Sequence, residues 1–449
     1  MHVLGLFMVA SVFLSTGSAS DDQMELAALL RSVSSAALIR DQPLTDPQTA
    51  AAGPKLLTKD GLIQGLTLDK SYVFYGIPFA DPPVAASRWK PPRPVTPWRG
   101  VYDATYPRAA CMQACIGPIA DECPKKVGED CLYLNVFVPL SVNLEAPLLK
   151  PLPVMVWIHG GDFIAGSASK QLYDGRYISN FTQTLVVSVA YRLGSKVVNP
   201  FRFLEQFESW GPYVDGELIR EQAVSAFLKG HWQKDKPVLL GTTSEEGVIF
   251  VYGVFMKPVS AVECTIYTTA IFKQHAIKIL RKYLPLYSDA DRRDMLAQIV
   301  TDYIFLCPSR RSARAGVASG SSVWMYVFDH VASDPSVWSG VTFCYRHVCH
   351  GAELPFVFDS APVANLSMTP AERLLSNRML CYWGAFAHTG DPGSHAESSA
   401  FCRQQRPPAW PRYTANSGWL IMNLTLHSHA QTGAREDICD FWDTLGIYP

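Results

Sequence analysis

Two apolar runs constrain this chain most: Val154-Met155-Val156-Trp157-Ile158 and Leu185-Val186-Val187-Ser188-Val189-Ala190. Continuous runs of this length, rich in branched residues and bounded by turn formers, are expected as strands buried on both faces of a mostly parallel sheet. Residues 72–75, 132–138, 237–240 and 323–328 read as further strands, and helical periodicity runs over 270–284 and 289–303. Parallel strands need crossovers, usually helical, to reach their neighbours. The expectation is therefore an α/β chain, and 449 residues with 48% hydrophobic content supply a large core.

The first run ends in His159-Gly160-Gly161-Asp162-Phe163. Glycines directly after a strand let backbone N–H groups approach a substrate carbonyl, so this pentapeptide reads either as an oxyanion loop or as a plain glycine turn leaving a sheet. Glu246 and His350 follow in the order of an acid and a base. Acyl transfer by a serine enzyme needs those two groups, the oxyanion donors and a nucleophile. No Gly-x-Ser-x-Gly occurs anywhere in the chain.

Charge excludes some partners. Thirty-nine basic residues stand against forty acidic ones, with no long block of one sign, so nothing points to nucleic acid or to an anionic membrane. Residues 1–20 combine an apolar stretch, 3–14, with a small-residue segment, and read as a signal peptide. Residues 21–54 read as a loose leader. Three glycosylation sequons begin at Asn180, Asn365 and Asn423, and eleven cysteines suit an oxidising compartment. An odd count leaves at least one cysteine without an internal partner. After residue 20 no apolar run is long enough for a transmembrane segment. The chain reads as secreted.

Glu129-Asp130-Cys131-Leu132-Tyr133-Leu134-Asn135-Val136-Phe137-Val138-Pro139 resembles the signature of the type-B carboxylesterase and cholinesterase family. Tyr75-Gly76-Ile77-Pro78-Phe79-Ala80, Val189-Ala190-Tyr191-Arg192-Leu193-Gly194, residues 210–216, residues 240–247, His350-Gly351-Ala352-Glu353-Leu354-Pro355-Phe356 and residues 383–392 continue the likeness in order. It covers about residues 55–445. The resemblance implies an α/β-hydrolase fold, with a mostly parallel central sheet flanked by helices, and a carboxylic ester substrate without a cofactor or metal. It assigns Glu246 as the acid and His350 as the base, with the backbone of Gly160, Gly161 and Asp162 as the oxyanion loop. Glu245 is the alternative acid by adjacency. Asp162 stands where the family commonly has a third glycine, a change that keeps the N–H.

The chain departs from the family between Gly194 and Trp210. There the family carries the elbow strand, its serine and the helix behind it, whereas here only residues 195–209 intervene. The domain therefore reads as 55–449 with an internal deletion near 195–209, and the fold as lacking the central elbow strand and following helix. Ser167, Ser169 and Ser195 are near in sequence, but none sits in a strand-to-helix elbow. Three readings follow: an inactive, incomplete product of a secreted serine carboxylesterase, a non-enzymatic adhesion-type relative with a protein partner, and a hydrolase with an unconventional nucleophile. The resemblance also implies disulfides Cys111 to Cys131, Cys115 to Cys123 and Cys307 to Cys439. Cys344-Tyr345-Arg346-His347-Val348-Cys349-His350 admits either a short Cys344 to Cys349 disulfide or a zinc site, for which no second ligand pair is evident.

Overall fold

The computed structural model describes residues 52–113, 124–146, 150–194, 212–396, 398–433 and 435–447. The signal peptide, nearly all of the leader, Cys115, Cys123 and the shortened stretch 195–209 lie outside the described residues.

The N-terminal half builds one sheet from β1 (Ala52–Thr58), β2 (Gly61–Thr67), β3 (Ser71–Pro78), β4 (Val101–Asp103), β7 (Tyr133–Pro139), β8 (Val154–Ile158) and β9 (Leu185–Val189). Short strands β5 (Ala110–Cys111) and β6 (Val127–Gly128) pair beside it. The order is β1-β2-β3-β7-β9-β8, with β4 on β2. β1 starts at Ala52, inside the segment read as leader. Asn135 is only 2% exposed in β7 and pins this sheet. It accepts from the Gly76 N–H at 2.9 Å, across the irregular register of β3, and its amide donates to Ser188 Oγ of β9 at 3.0 Å and to the Ala168 carbonyl at 3.2 Å. A buried amide so fully bonded fixes strand placement, since each bond lost would strand a polar group.

α1 (Arg176–Thr182) is the crossover that carries β8 to its parallel partner β9. After α2 (Ala223–Lys229) comes a second sheet, β10 (Val238–Thr243), β11 (Val323–Phe328), β12 (Leu420–Leu424) and β13 (His429–Thr432), in that order. Its first three strands are parallel and β13 is antiparallel. Between β10 and β11 run α3 (Val248–Val254), α4 (Ala261–Phe272), α5 (Ala276–Tyr283), α6 (Arg293–Val300), a π-helical turn (Thr301–Leu306) and α7 (Cys307–Ala318). α8 (Leu354–Phe358), α9 (Pro370–Thr389), α10 (Ala400–Gln405) and α11 (Glu436–Thr444) complete the described helices. The helix expected over 270–284 is divided, because Lys273 adopts φ 49° and ends α4. α9 carries the longest run, opened by the Thr369 and Glu372 capping box and closed at Gly390 with φ 74°.

Two expectations are corrected. The sheets are mixed rather than mostly parallel, because β1, β2, β3, β7 and β9 pair antiparallel in succession. Nor is β8 buried on both faces. Met155 and Trp157 pack inward, with the Trp157 ring 5.1 Å from that of Phe358, but Val154, Val156 and Ile158 are 53%, 59% and 67% exposed. Among the described residues β8 pairs with β9 alone and β10 with β11 alone, so no ladder joins the two sheets. Side-chain packing joins them instead: one continuous apolar core includes Val73, Phe137 and Val186 of the first sheet with Trp324, Met325 and Phe328 of the second.

Candidate active site

Strand β10 delivers two consecutive glutamates into the turn that precedes α3. Glu246 is 4% exposed, and its Oε1 accepts the Thr243 N–H at 2.8 Å, which fixes the carboxylate's direction. Its Oε2 lies 2.5 Å from His350 Nδ1. Glu245 points elsewhere: Oε1 meets His347 Nδ1 at 2.8 Å, and Oε2 accepts the Val348 N–H at 2.6 Å. Glu246 is thus the partner of His350, and Glu245 that of His347. Gly247 is required by close approach, since a Cβ there would meet the Ala297 carbonyl of α6 at 2.1 Å. The π-helical turn begins beside it, and Thr301 Oγ1 accepts the Gly247 N–H at 2.9 Å.

His350 directly follows a loop closed by the Cys344–Cys349 disulfide, with S–S 2.00 Å. The Cys344 and Cys349 sulfurs are bonded to each other, and both imidazoles bond carboxylates through Nδ1. The His350 ring sits between Phe250 and Phe305, at centroid distances of 5.5 and 5.4 Å, yet 52% of its side chain is exposed. Beyond the bond at Nδ1, His350 has no hydrogen-bond partner among the described residues. Burial among its neighbours opposes protonation of the ring, but the bond and charge of Glu246, with the charges of Glu353 and Asp162, outweigh it and raise its pKa.

The turn after β8 presents the glycines. Gly161, Asp162 and Phe163 take φ of 115°, 56° and 60°, and a Cβ on Gly161 would meet the Ala165 carbonyl at 2.0 Å. The Gly161 carbonyl accepts the N–H groups of Ile164 and Ala165 at 3.0 and 2.9 Å. The N–H groups of Gly160, Gly161 and Asp162 have no acceptor among the described residues. His159, 3% exposed and stacked on Tyr191 at 4.4 Å, holds the start of the turn, and Tyr191 Oη donates to the His159 carbonyl at 2.6 Å. The Asp162 carboxyl, pushed up to about 6 by burial against the pull of His350, interacts with that imidazole. Glu246 and His350 are thus joined by a hydrogen bond, and the Asp162 carboxyl of the glycine turn is tied to them by charge.

Sequence reasoning missed Glu353 as part of this group. Burial first, and then the charge of Glu246, push its carboxyl up to about 7, and its Oε2 is buried without a partner. Its place three residues after His350, just before α8, was the available signal. The serines near in sequence are engaged elsewhere: Ser167 Oγ accepts the Ser169 N–H at 3.1 Å, and Ser169 Oγ accepts from Asn135 at 3.1 Å. Ser195 lies outside the described residues.

The structure joins Cys111 to Cys131 and Cys307 to Cys439, and adds Cys381 to Cys402, a pair the sequence did not single out. Cys264 is free and buried. Of the three sequons, Asn365 is exposed, whereas Asn180 and Asn423 are half-buried, with Asn423 Nδ2 donating to Gln431 at 3.2 Å. No described helix is long and apolar enough to cross a membrane.

Comparison with known proteins places this geometry in a family. The chain is 26% identical to acetylcholinesterase of Bungarus fasciatus over 543 aligned positions, which take in 87% of this chain and 86% of that one. It is 26% identical to the crystal protein of Dictyostelium discoideum, covering 87% of this chain and 91% of the relative, and 25% identical to the cAMP-regulated D2 protein of the same organism, covering 83% and 89%. The profile of the carboxylesterase family matches residues 52–196 and 199–442. With most of its length matched, the chain belongs to the carboxylesterase family.

Proposed function

We infer that this chain is a carboxylesterase-family protein that retains the acid, the base and the oxyanion turn but lacks the serine nucleophile, and that it does not hydrolyse esters. The observation that carries this is His350: its Nδ1 is anchored by Glu246, and Nε2, the atom that takes a serine proton in such a site, has no hydrogen-bond partner among the described residues. Three further facts support the reading. No Gly-x-Ser-x-Gly is present, and the family match is interrupted between residues 196 and 199. The alignment with the Bungarus fasciatus enzyme spans 543 positions, more than the 449 residues of the whole chain, so stretches of that relative have no counterpart here. β8 and β10 each lack an outer partner among the described residues, where an elbow strand would lie between them.

In a complete site of this kind a serine would pass its proton to His350 Nε2, Glu246 would stabilise the imidazolium, and the N–H groups of Gly160, Gly161 and Asp162 would hold the oxyanion of a carboxylic ester. Without the nucleophile those parts stabilise nothing covalent. We assign the chain as a shortened product of a secreted serine carboxylesterase, a single domain from about residue 55 with a deletion near 195–209. Four disulfides among the described residues fit an oxidising compartment, and Asn365 is the best placed sequon for a glycan. The test is a fluorophosphonate probe applied to the purified chain: no covalent adduct is expected, and an adduct on any serine overturns the reading. Sequencing the transcript and the gene across the codons for Gly194 to Trp210 separates a skipped exon from a permanent loss.

The core shared by both sheets favours a second reading, a folded non-enzymatic binding protein. That reading requires a cooperative unfolding transition and a saturable protein partner; an aggregated product eliminates it.

A further inference from the structure

α9 and α10 are tied by the Cys381–Cys402 disulfide, and between them lies an open groove of about 640 Å³. Leu374 and Arg378, one turn apart on α9, form one wall, while Arg403, Gln404, Gln405 and Arg406 form the other. No carboxylate lines it. Arg406 caps α10 with φ 45°, and both Arg403 and Arg406 are exposed.

Two of these arginines are held by backbone carbonyls. Arg378 Nε donates to the Gln405 carbonyl at 3.2 Å, and Arg403 donates to the Ser398 carbonyl. Among the described residues none of the three is in an ion pair. A guanidinium has five N–H donors in a rigid fork, so most of the donors here are unspent. Asn377 Nδ2 donates to Gln405 Oε1 at 3.2 Å, which together with the disulfide fixes one wall against the other before any ligand arrives. Fixed, forked donors without a carboxylate suit planar or tetrahedral oxyanions. The chain as a whole has a formal charge of −1, so the attraction is local to the groove and not a property of the whole surface.

We propose that this groove binds a sulfated polysaccharide, with Arg378, Arg403 and Arg406 each taking a sulfate group and the two glutamines donating to sugar oxygens. The open shape admits a chain that passes through it, and three separate guanidinium groups match a repeating polyanion better than a single ion. Four disulfides among the described residues point to the oxidising side of the cell, where sulfated polysaccharide is the polyanion to expect and nucleic acid is not. This inference does not depend on whether the chain hydrolyses esters.

The experiment uses the full chain, heparin chromatography and calorimetry with a heparin tetrasaccharide. The parent should bind in a salt-dependent manner, and R378Q/R403Q/R406Q should bind at least ten-fold more weakly with an unchanged circular dichroism spectrum. R220Q/K278Q/R281Q makes the same change in charge at exposed positions elsewhere and should bind like the parent. Equal losses in both triple variants would show a bulk charge effect and overturn the site. The proposal also fails if desulfated tetrasaccharide binds as tightly, if inorganic sulfate at low millimolar concentration displaces the tetrasaccharide completely, or if the chain binds phosphatidylserine vesicles and not the tetrasaccharide.

Discussion

β8 and β11 are apolar strands of nearly the same length and composition, VMVWI and VWMYVF, with opposite fates. β11 lies between β10 and β12, and five of its six residues are buried. Among the described residues β8 has one ladder partner, and Val154, Val156 and Ile158 are left exposed on its outer face. Side chains of this size contribute about 1.5–3 kcal/mol each when fully covered, a stabilisation that β11 collects and the outer face of β8 largely forgoes. An apolar run thus specifies a strand, while its neighbours decide whether both faces are used. Exposed edges with an apolar face also invite pairing with other chains, a hazard that β8 carries and β11 does not.

The contrast can be broken by mutation. Phe328, fully buried at the end of β11, should cost about 3–5 kcal/mol as Phe328→Ala, measured by urea denaturation; a loss under about 1 kcal/mol would mean the second sheet is not a packed core in solution.

Between the ends of the two sheets the carboxyl of Glu353 gives a pH-dependent effect of the next size. Its folded pKa of about 7 lies above the value of about 4.3 for an unfolded chain, so across that window the native state keeps a proton that the unfolded state has lost. Stability therefore falls as pH rises from about 4.5 to about 7, and the raised pKa of His350 acts in the same direction. Glu353→Gln should flatten that decline by about 2–3 kcal/mol, and parallel stability curves for parent and variant would contradict the assigned burial. The smallest effect belongs to β8: Val156→Thr should change stability by less than about 0.5 kcal/mol, whereas a loss above about 1 kcal/mol would reveal that something covers this face in solution.

Much of this was legible in the residues. The strand at Val323–Phe328 was read with its observed limits, and β8, β9 and β10 within a few residues, because branched and aromatic runs bounded by turn formers have few alternatives. The break at Lys273 was not legible, since no glycine or proline marks it and a lysine in a left-handed conformation is imposed by what surrounds it. The choice between Glu245 and Glu246 was equally closed to inspection: adjacent acids differ by nothing local. The turn at the end of β10 sends their side chains to different histidines, and that is a matter of direction in space.

Sequence alone determined the family, the order of its motifs, the pair of glycines after an apolar run, and the absence of a Gly-x-Ser-x-Gly, because each is a pattern of residue types along the chain. Tertiary structure decided what depends on neighbours: that Val154, Val156 and Ile158 of β8 are exposed, that Glu246 holds His350 while Glu245 holds His347, that burial pushes the Glu353 carboxyl up to about 7, and that three arginines from two helices share one groove. Burial, pKa and charge clustering are set by groups distant in sequence, and only the packed chain brings those groups together.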